Sequence, residues 1–249
     1  MRSSSRYDKM GFKQPLQREW LDYAVMLLLQ KDPECKQKLF DFVKSSNTEA
    51  GERADGSVKT TMGLLGAWIT PSKDLVLFRD QLLEKAAKLD KSHWLVLHWA
   101  AIGASYSFFQ TICTVVGRLL SLQDNVTRMQ ILSRLSEIYG EREIVERQMR
   151  YVVQTLMNLD LLKRTNTKGI YAGPDRILIE DSELGLLLWK ALLLGTPENR
   201  LPIVSLRNSL ALYAFAMPDI SLDKQILEFA KLDLICLGGS NDYLTVENS

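Results

Sequence analysis

The sequence Leu-Asp-Leu-Leu at residues 159–162, followed by Gly-Ile-Tyr at 169–171, has a counterpart in Leu-Asp-Leu-Ile at 232–235, followed by Asp-Tyr-Leu at 242–244. In both places an amphipathic stretch precedes this Leu-Asp-Leu-aliphatic phrase. A polar turn containing glycine follows the phrase, and a short apolar segment with a tyrosine ends the pattern. Each copy therefore predicts a helix, a strand, a turn and a second strand. We expect residues 121–176 and 198–246 to be two structurally similar units.

The segment before the first copy shows two helices separated by a tight turn. Thr127 and Gln130 have the spacing of a capping box, in which the hydroxyl accepts a backbone N–H and the glutamine side chain returns a hydrogen bond. Apolar residues recur at helical spacing up to Gly140, and again from about 141 to 158. Two helices, a strand and a polar loop predict a helix-turn-helix with a wing, whose first helix would be 106–120.

The rest of the chain is predicted to be mainly helical. The polar, charged segment 45–61 has almost nothing to bury, and we interpret it as a flexible loop. The predicted fold class is mainly α, with an N-terminal helical domain followed by two winged-helix-like units with short β-wings. The expected ranges are a flexible tail over 1–15, the helical domain over 16–105, the first unit over 106–180, and a connecting helix with the second unit over 181–249.

Charge is distributed unevenly along the chain. The 249 residues carry 31 Lys+Arg and 30 Asp+Glu, a balance that excludes a strongly basic coat-like nucleic-acid binder. Residues 1–125 have 17 basic and 14 acidic side chains, 126–176 have 9 and 6, and 177–249 have 5 and 10. Any phosphate-binding face is therefore expected before residue 177.

A segment without Asp, Glu, Lys or Arg extends from 92 to 117 and is long enough to span a bilayer. Its interior polar residues and the Gly-Ala-Ser sequence at 103–105 favour a buried pair of core helices, with a membrane helix as the alternative. The three cysteines are far apart and show no CxxC spacing, and no secretory signal is recognisable at the N-terminus. We expect a cytoplasmic protein without membrane contact.

The candidate binding residues lie on the outward face of the helix 141–158 and in the turn after it. Arginine and glutamine suit base edges, and lysine suits phosphates, so this face could enter a major groove of duplex DNA. Alternatively, the opposite charges at i,i+4 spacing (142 with 146, 143 with 147, 146 with 150) neutralise one another on a solvated or partner-facing surface. The predicted DNA-binding residues are Arg142, Arg147, Arg150, Gln154, Lys163, Arg164 and Lys168.

No pattern in the sequence indicates a reaction. His93 and His98 are five residues apart, a spacing that does not place both on one helical face, and we interpret them as packing histidines rather than metal ligands. The Gly-Leu-Leu-Gly sequence at 63–66 lacks the residues of a phosphate loop, and no GxSxG or HExxH motif occurs. We expect a non-enzymatic protein with no cofactor and no metal.

Residues 106–176 resemble the winged-helix superfamily in the order of their predicted elements. The stretches 98–120 and 142–162 also look like accessory proteins of multi-gene bacterial phage-defence loci of the BREX type. This resemblance implies a cytoplasmic accessory protein that binds DNA or a larger subunit. Two functions are therefore expected: a DNA-binding accessory protein that uses the first winged helix, or a protein–protein adaptor that uses tandem winged helices in a larger complex or homo-oligomer.

Overall fold

The computed structural model describes residues 11–46, 54–236 and 242–247. Over these ranges the protein is mainly helical, as predicted, with short strands grouped in small sheets. The helices are α1 Arg18–Leu29, α2 Cys35–Ser46, α3 Ala54–Ile69, α4 Val76–Ala86, α5 Trp94–Ser105, α6 Ser107–Leu120, α7 Arg128–Tyr139, α8 Glu143–Asn158, α9 Ser182–Leu194, α10 Ile203–Arg207 and α11 Lys224–Ala230. The strands are β1 Asn125–Thr127, β2 Lys163–Arg164, β3 Ile170–Ala172, β4 Ile177–Leu178, β5 Arg200–Pro202, β6 Phe215–Ala216, β7 Leu232–Ile235 and β8 Tyr243–Val246.

Helix α3 occupies part of the segment that was predicted to be a flexible loop. The prediction was wrong for residues 45–46, which end α2, and for residues 54–61, which form the first two turns of α3. Val58 and Thr61 are buried one turn apart and continue the buried face that includes Leu65. The buried face of α3 is narrow, but it is enough to hold the helix against α1 and α2, although most residues of 54–61 are polar or small. Residues 47–53 of the predicted loop lie outside the described residues.

The segment before α1 is packed against α8. Phe12 is fully buried, its ring lies 5.6 Å from that of Tyr106, and its backbone N–H donates to Gln148 Oε1 at 3.1 Å. The N–H of Leu16 donates to Thr155 Oγ1 at 2.9 Å. The predicted flexible tail was therefore wrong for residues 11–15, because two apolar side chains anchor them. Residues 1–10 of that tail lie outside the described residues.

Helices α5 and α6 form the centre of the core. The chain bends by 117° between them at Tyr106, so the predicted break is present, although Gly103 lies inside α5 rather than at the bend. Almost every residue of α5 is buried, and this helix packs against α9. Among the described residues, no helix taken singly has both the length and the apolar character needed to cross a membrane.

Two three-stranded antiparallel sheets have the same strand order. In the first sheet β3 lies between β1 and β2, and in the second β8 lies between β5 and β7. In each case helices separate the first strand from the second, and the third strand returns to the middle of the sheet. The segments 125–172 and 200–246 thus share one sheet topology, although the second also contains the strand β6 between its helices.

The repeated sequence phrase is nevertheless placed differently in the two segments. Leu159 caps α8 and Asp160 has a left-handed φ of 56°, so that β2 begins only at Lys163. In the second segment the left-handed residue is Lys231, with a φ of 54°, and the phrase at 232–235 is itself strand β7. The sheet topology repeats, but the two Leu-Asp-Leu phrases are not equivalent positions in it.

The first unit, which includes α6, contacts the second where α6 packs against the 3-10 turn Leu210–Leu212. A Cβ added to Gly117 would lie 2.0 Å from the carbonyl oxygen of Leu210, so the two backbones are in direct contact. Tyr213 Oη donates to the carbonyl of Leu161 at 2.6 Å. These contacts fix the position of the second unit against the first.

Candidate nucleic-acid interface

Helix α8 is held in place by its apolar face and by the turn that precedes it. Its buried residues, Val145, Met149, Val152, Val153 and Leu156, pack against α6 and α7. The predicted capping box is present at the start of α7, with Gln130 N–H donating to Thr127 Oγ1 at 3.1 Å and Thr127 N–H donating to Gln130 Oε1 at 2.8 Å. Gly140 ends α7 with a φ of 78°, a conformation that glycine adopts without strain. The opposite face of α8 is thereby presented to solvent.

The exposed cations of α8 are not neutralised by the carboxylates of the same helix. Arg142, Arg147 and Arg150 are exposed, and none of the predicted i,i+4 ion pairs forms. Glu146 pairs instead with Arg128 on α7. Within the described part of the chain, these three arginines have no carboxylate oxygen at ion-pair distance. The structure therefore does not support the self-neutralising interpretation of this surface.

Lys163 on β2 differs from the arginines because it has a carboxylate partner. Its Nζ lies 2.6 Å from Asp175 Oδ2, in the loop after β3. The hydrogen bond and charge of Lys163 hold the pKa of Asp175 below its ordinary value. The sequence placed Asp175 beyond the predicted basic turn, but β3 returns beside β2 and brings this carboxylate back to Lys163.

Arg164 and Gln154 are joined in a hydrogen-bonded chain that includes a residue missed by sequence reasoning. Arg164 Nη2 donates to Gln154 Oε1 at 2.8 Å, and Gln154 Nε2 donates to Asn158 Oδ1 at 2.7 Å. Asn158 Nδ2 in turn donates to the carbonyl of Leu16 at 2.8 Å. Both ends of the Gln154 amide are engaged, so this side chain fixes the orientation of Arg164 beside α8.

Lys168 lies in the loop 165–169 between β2 and β3, which we call the wing loop. Thr165 Oγ1 accepts the N–H of Thr167 at 3.2 Å, and Gly169 closes the loop with a φ of 81°. The Lys168 side chain is exposed and has no carboxylate at ion-pair distance among the described residues. A groove of about 420 Å³ separates this loop from the end of α8 and is lined by Gln154, Arg164 and Lys168. Two exposed cations, Arg164 of β2 and Lys168 of the wing loop, therefore line this groove.

The two histidines lie apart from this surface. His98 is fully buried, as predicted for a packing histidine, and its Nε2 lies 2.9 Å from Asp22 Oδ1. Burial lowers the pKa of His98, so the neutral ring donates its Nε2–H to the carboxylate. His93 is exposed, and its prediction as a packing residue was wrong because it precedes the first buried turn of α5. Across the described ranges, no cluster of His, Cys, Asp and Glu is arranged to hold a metal ion.

Lys190 is a buried cation without a carboxylate at ion-pair distance in the described part of the chain. Its Nζ donates to the carbonyl of Ala230 at 2.6 Å and to Gln81 Oε1 at 2.8 Å. Burial lowers the pKa of Lys190 to about 8. The lysine joins α4, α9 and the end of α11 and lies outside the basic surface of α8.

We expect Lys190→Met to remove a component of the pH dependence of stability. The folded-state pKa is below that of the unfolded chain, so the unfolded state binds more protons and folding becomes more favourable as pH rises above about 8. The wild type should gain about 2 kcal/mol relative to the variant between about pH 8 and 9.5. Denaturant unfolding at several pH values measures this difference. The exposed control Lys88→Met should follow the wild type, and a variant curve parallel to the wild-type curve would contradict the assignment.

Comparison of the chain with models of known protein families, with curated proteins and with solved structures found no match.

Proposed function

We propose that the protein binds duplex DNA without catalysing a reaction, and that residues 107–172 act as a winged-helix domain. The order of elements supports this proposal: α6, β1, α7, a tight turn, α8, then β2 and β3 connected by the wing loop. A helix-turn-helix of this kind presents its second helix to the major groove. Helix α8 and the wing loop are then the surfaces that contact DNA.

The unpaired cations of α8 carry the proposal. Arg147 and Arg150 are one turn apart on the exposed face, and Lys168 lies across the groove from the end of that helix. A cation that already has a carboxylate partner must lose it before it can bind a phosphate, whereas these three side chains do not. The predicted base-reading role of Gln154 has less support, since its amide is bonded to Arg164 and Asn158.

Salt-dependent titration of a 20-base-pair duplex tests this function. Each phosphate contact releases counterions, so the logarithm of affinity should fall with the logarithm of salt concentration by about 0.9 per contact. The double variant Arg147→Gln/Arg150→Gln should reduce the slope by about 1.8, and Lys168→Gln by about 0.9. Lys163→Gln should have a smaller effect, because the Lys163 ammonium is already paired with Asp175. Fluorescence anisotropy at several salt concentrations measures all four slopes.

A control variant and a possible negative result distinguish DNA binding from the adaptor function. Lys36→Gln/Lys88→Gln removes two exposed charges from the N-terminal helices and should leave the slope unchanged. If the wild type shows no binding at low salt, or if the α8 variant keeps the full slope, the DNA proposal is wrong. The adaptor function would then be favoured, with the acidic segment after residue 177 as the contact surface for a protein partner.

A further inference from the structure

A cleft of about 620 Å³ lies between the two units and is lined by one arginine from each. Arg176 follows β3 in the first unit, and Arg207 ends α10 in the second. Arg176 is exposed and has no carboxylate at ion-pair distance among the described residues. Arg207 Nη1 lies 3.7 Å from Asp219 Oδ1, which is beyond hydrogen-bond distance, so this pair is weaker than the hydrogen-bonded pair of Lys163 and Asp175. Both guanidinium groups are thus available to a ligand.

The walls of the cleft are held in position by the contacts between the units. Gly117 and Leu210 both line the cleft, and they lie where the backbones of α6 and the 3-10 turn touch. Tyr213, another lining residue, is hydrogen-bonded to the carbonyl of Leu161. A ligand therefore meets arginines whose supporting backbones are already fixed, and it does not have to order one unit against the other.

The charge and polarity of the lining suit phosphate oxygens. The lining includes two arginines and one carboxylate, Asp124, and Gln123, Asn208 and Ser209 supply polar groups. Arg207 is notable because the segment 177–249 has 10 acidic and 5 basic residues. The acidic second unit contributes this cation at the edge where it meets the basic first unit. Guanidinium groups bind phosphate oxygens through directed, charge-assisted hydrogen bonds.

The cleft continues the proposed DNA-binding surface. Ala172 lines the cleft and is the strand partner of Lys163, whose ammonium contacts Asp175, the residue before Arg176. A residue spans at most about 3.6 Å, so the Cα of Arg176 lies within about 14 Å of that of Ala172. The cleft therefore adjoins the strands that carry the wing loop.

We propose that Arg176 and Arg207 form a second phosphate-contact site for the duplex that α8 binds, so that both units hold one DNA molecule. This inference rests on the proposed function. It assigns the second unit a role in binding the DNA backbone, although that unit is acidic overall.

The test is the same anisotropy titration with the double variant Arg176→Gln/Arg207→Gln. Removing two phosphate contacts should reduce the salt slope by about 1.8, and each single variant should reduce it by about 0.9. The control Lys36→Gln/Lys88→Gln changes the net charge by the same amount and should keep the wild-type slope. Both arginines are exposed, so we expect the variants to retain the fold, and circular dichroism melting of each variant checks this.

The outcomes separate this inference from the function on which it rests. If the wild type binds and the cleft variant keeps the full slope, the cleft proposal is wrong and DNA binding through α8 stands. If the control variant reduces the slope as much as the cleft variant does, net charge explains the effect and the cleft proposal is again wrong. If the wild type does not bind at low salt, the proposed function and this inference are both overturned.

Discussion

Replacing Gly117 with alanine should destabilise the protein by about 3 kcal/mol or more, because there is no space for the added methyl group. The new Cβ would lie 2.0 Å from the carbonyl oxygen of Leu210 and 2.9 Å from its carbonyl carbon. Both atoms belong to backbone, so no side-chain rotation can relieve the contact. The two units would have to move apart at the junction of α6 with the 3-10 turn.

Gly63 on α3 provides a matched control. It is also a glycine inside a helix, but a Cβ added there would have no atom within 4 Å apart from its chain neighbours and the backbone of α3 itself. Gly63→Ala should therefore stabilise the protein by about 0.5–1 kcal/mol through helix propensity alone. Urea unfolding of the two variants and the wild type measures the difference. A Gly117→Ala protein as stable as the wild type would show that the units are not in direct backbone contact.

The features predicted correctly from sequence are those set by neighbouring residues. Thr127 and Gln130 form the expected capping box, and the apolar stripe of α8 is buried as its spacing indicates. The two three-stranded sheets have the same strand order, but the repeated phrase that motivated the prediction of two similar units occupies different positions in them. Capping hydrogen bonds and helical periodicity depend on residues that are a few positions apart, so the sequence alone indicates them.

The features predicted wrongly depend on residues that are distant in the chain. Glu146 has two arginines at i,i+4 spacing, yet it pairs with Arg128, because the packing of α7 on α8 brings that side chain closer. Phe12 was assigned to a tail because its partners on α6 and α8 are more than ninety residues away. Sequence spacing cannot show which of several possible partners tertiary packing will select.

The same limit applies to the candidate interface. All seven predicted residues lie on α8, at its N-terminal cap or on the strands and loop that follow, but their availability differs. Lys163 is paired with Asp175 and Gln154 is bonded to Arg164, whereas Arg147 and Arg150 have no ion-pair partner among the described residues. Arg176 and Arg207 were not predicted, since they meet only in the cleft between the units.

Among the acidic residues of the N-terminal helices, we expect substitution of Asp22 to lower the free energy of unfolding most. Its carboxylate is nearly buried, accepts the Nε2–H of His98, and lies 3.8 Å from Arg18 and 3.6 Å from Lys91. Burial alone would raise the pKa of Asp22, but the hydrogen bond with His98 and the nearby cations lower it below its ordinary value. The carboxylate is therefore charged at neutral pH and accepts a hydrogen bond from the buried, neutral His98 ring.

Asp22→Ala should cost about 2–3 kcal/mol, because removing one member of a buried polar pair leaves the N–H of the neutral His98 ring without a partner. The His98 ring is fully buried, so its Nε2–H could not turn to water. Asp22→Asn keeps an acceptor for that N–H and should cost less, about 1 kcal/mol. Asp41→Ala, which removes an exposed carboxylate from α2, should change stability by less than about 0.5 kcal/mol. Denaturant unfolding at neutral pH ranks the three variants, and an Asp22→Ala cost no larger than that of Asp41→Ala would show that His98 does not depend on this carboxylate.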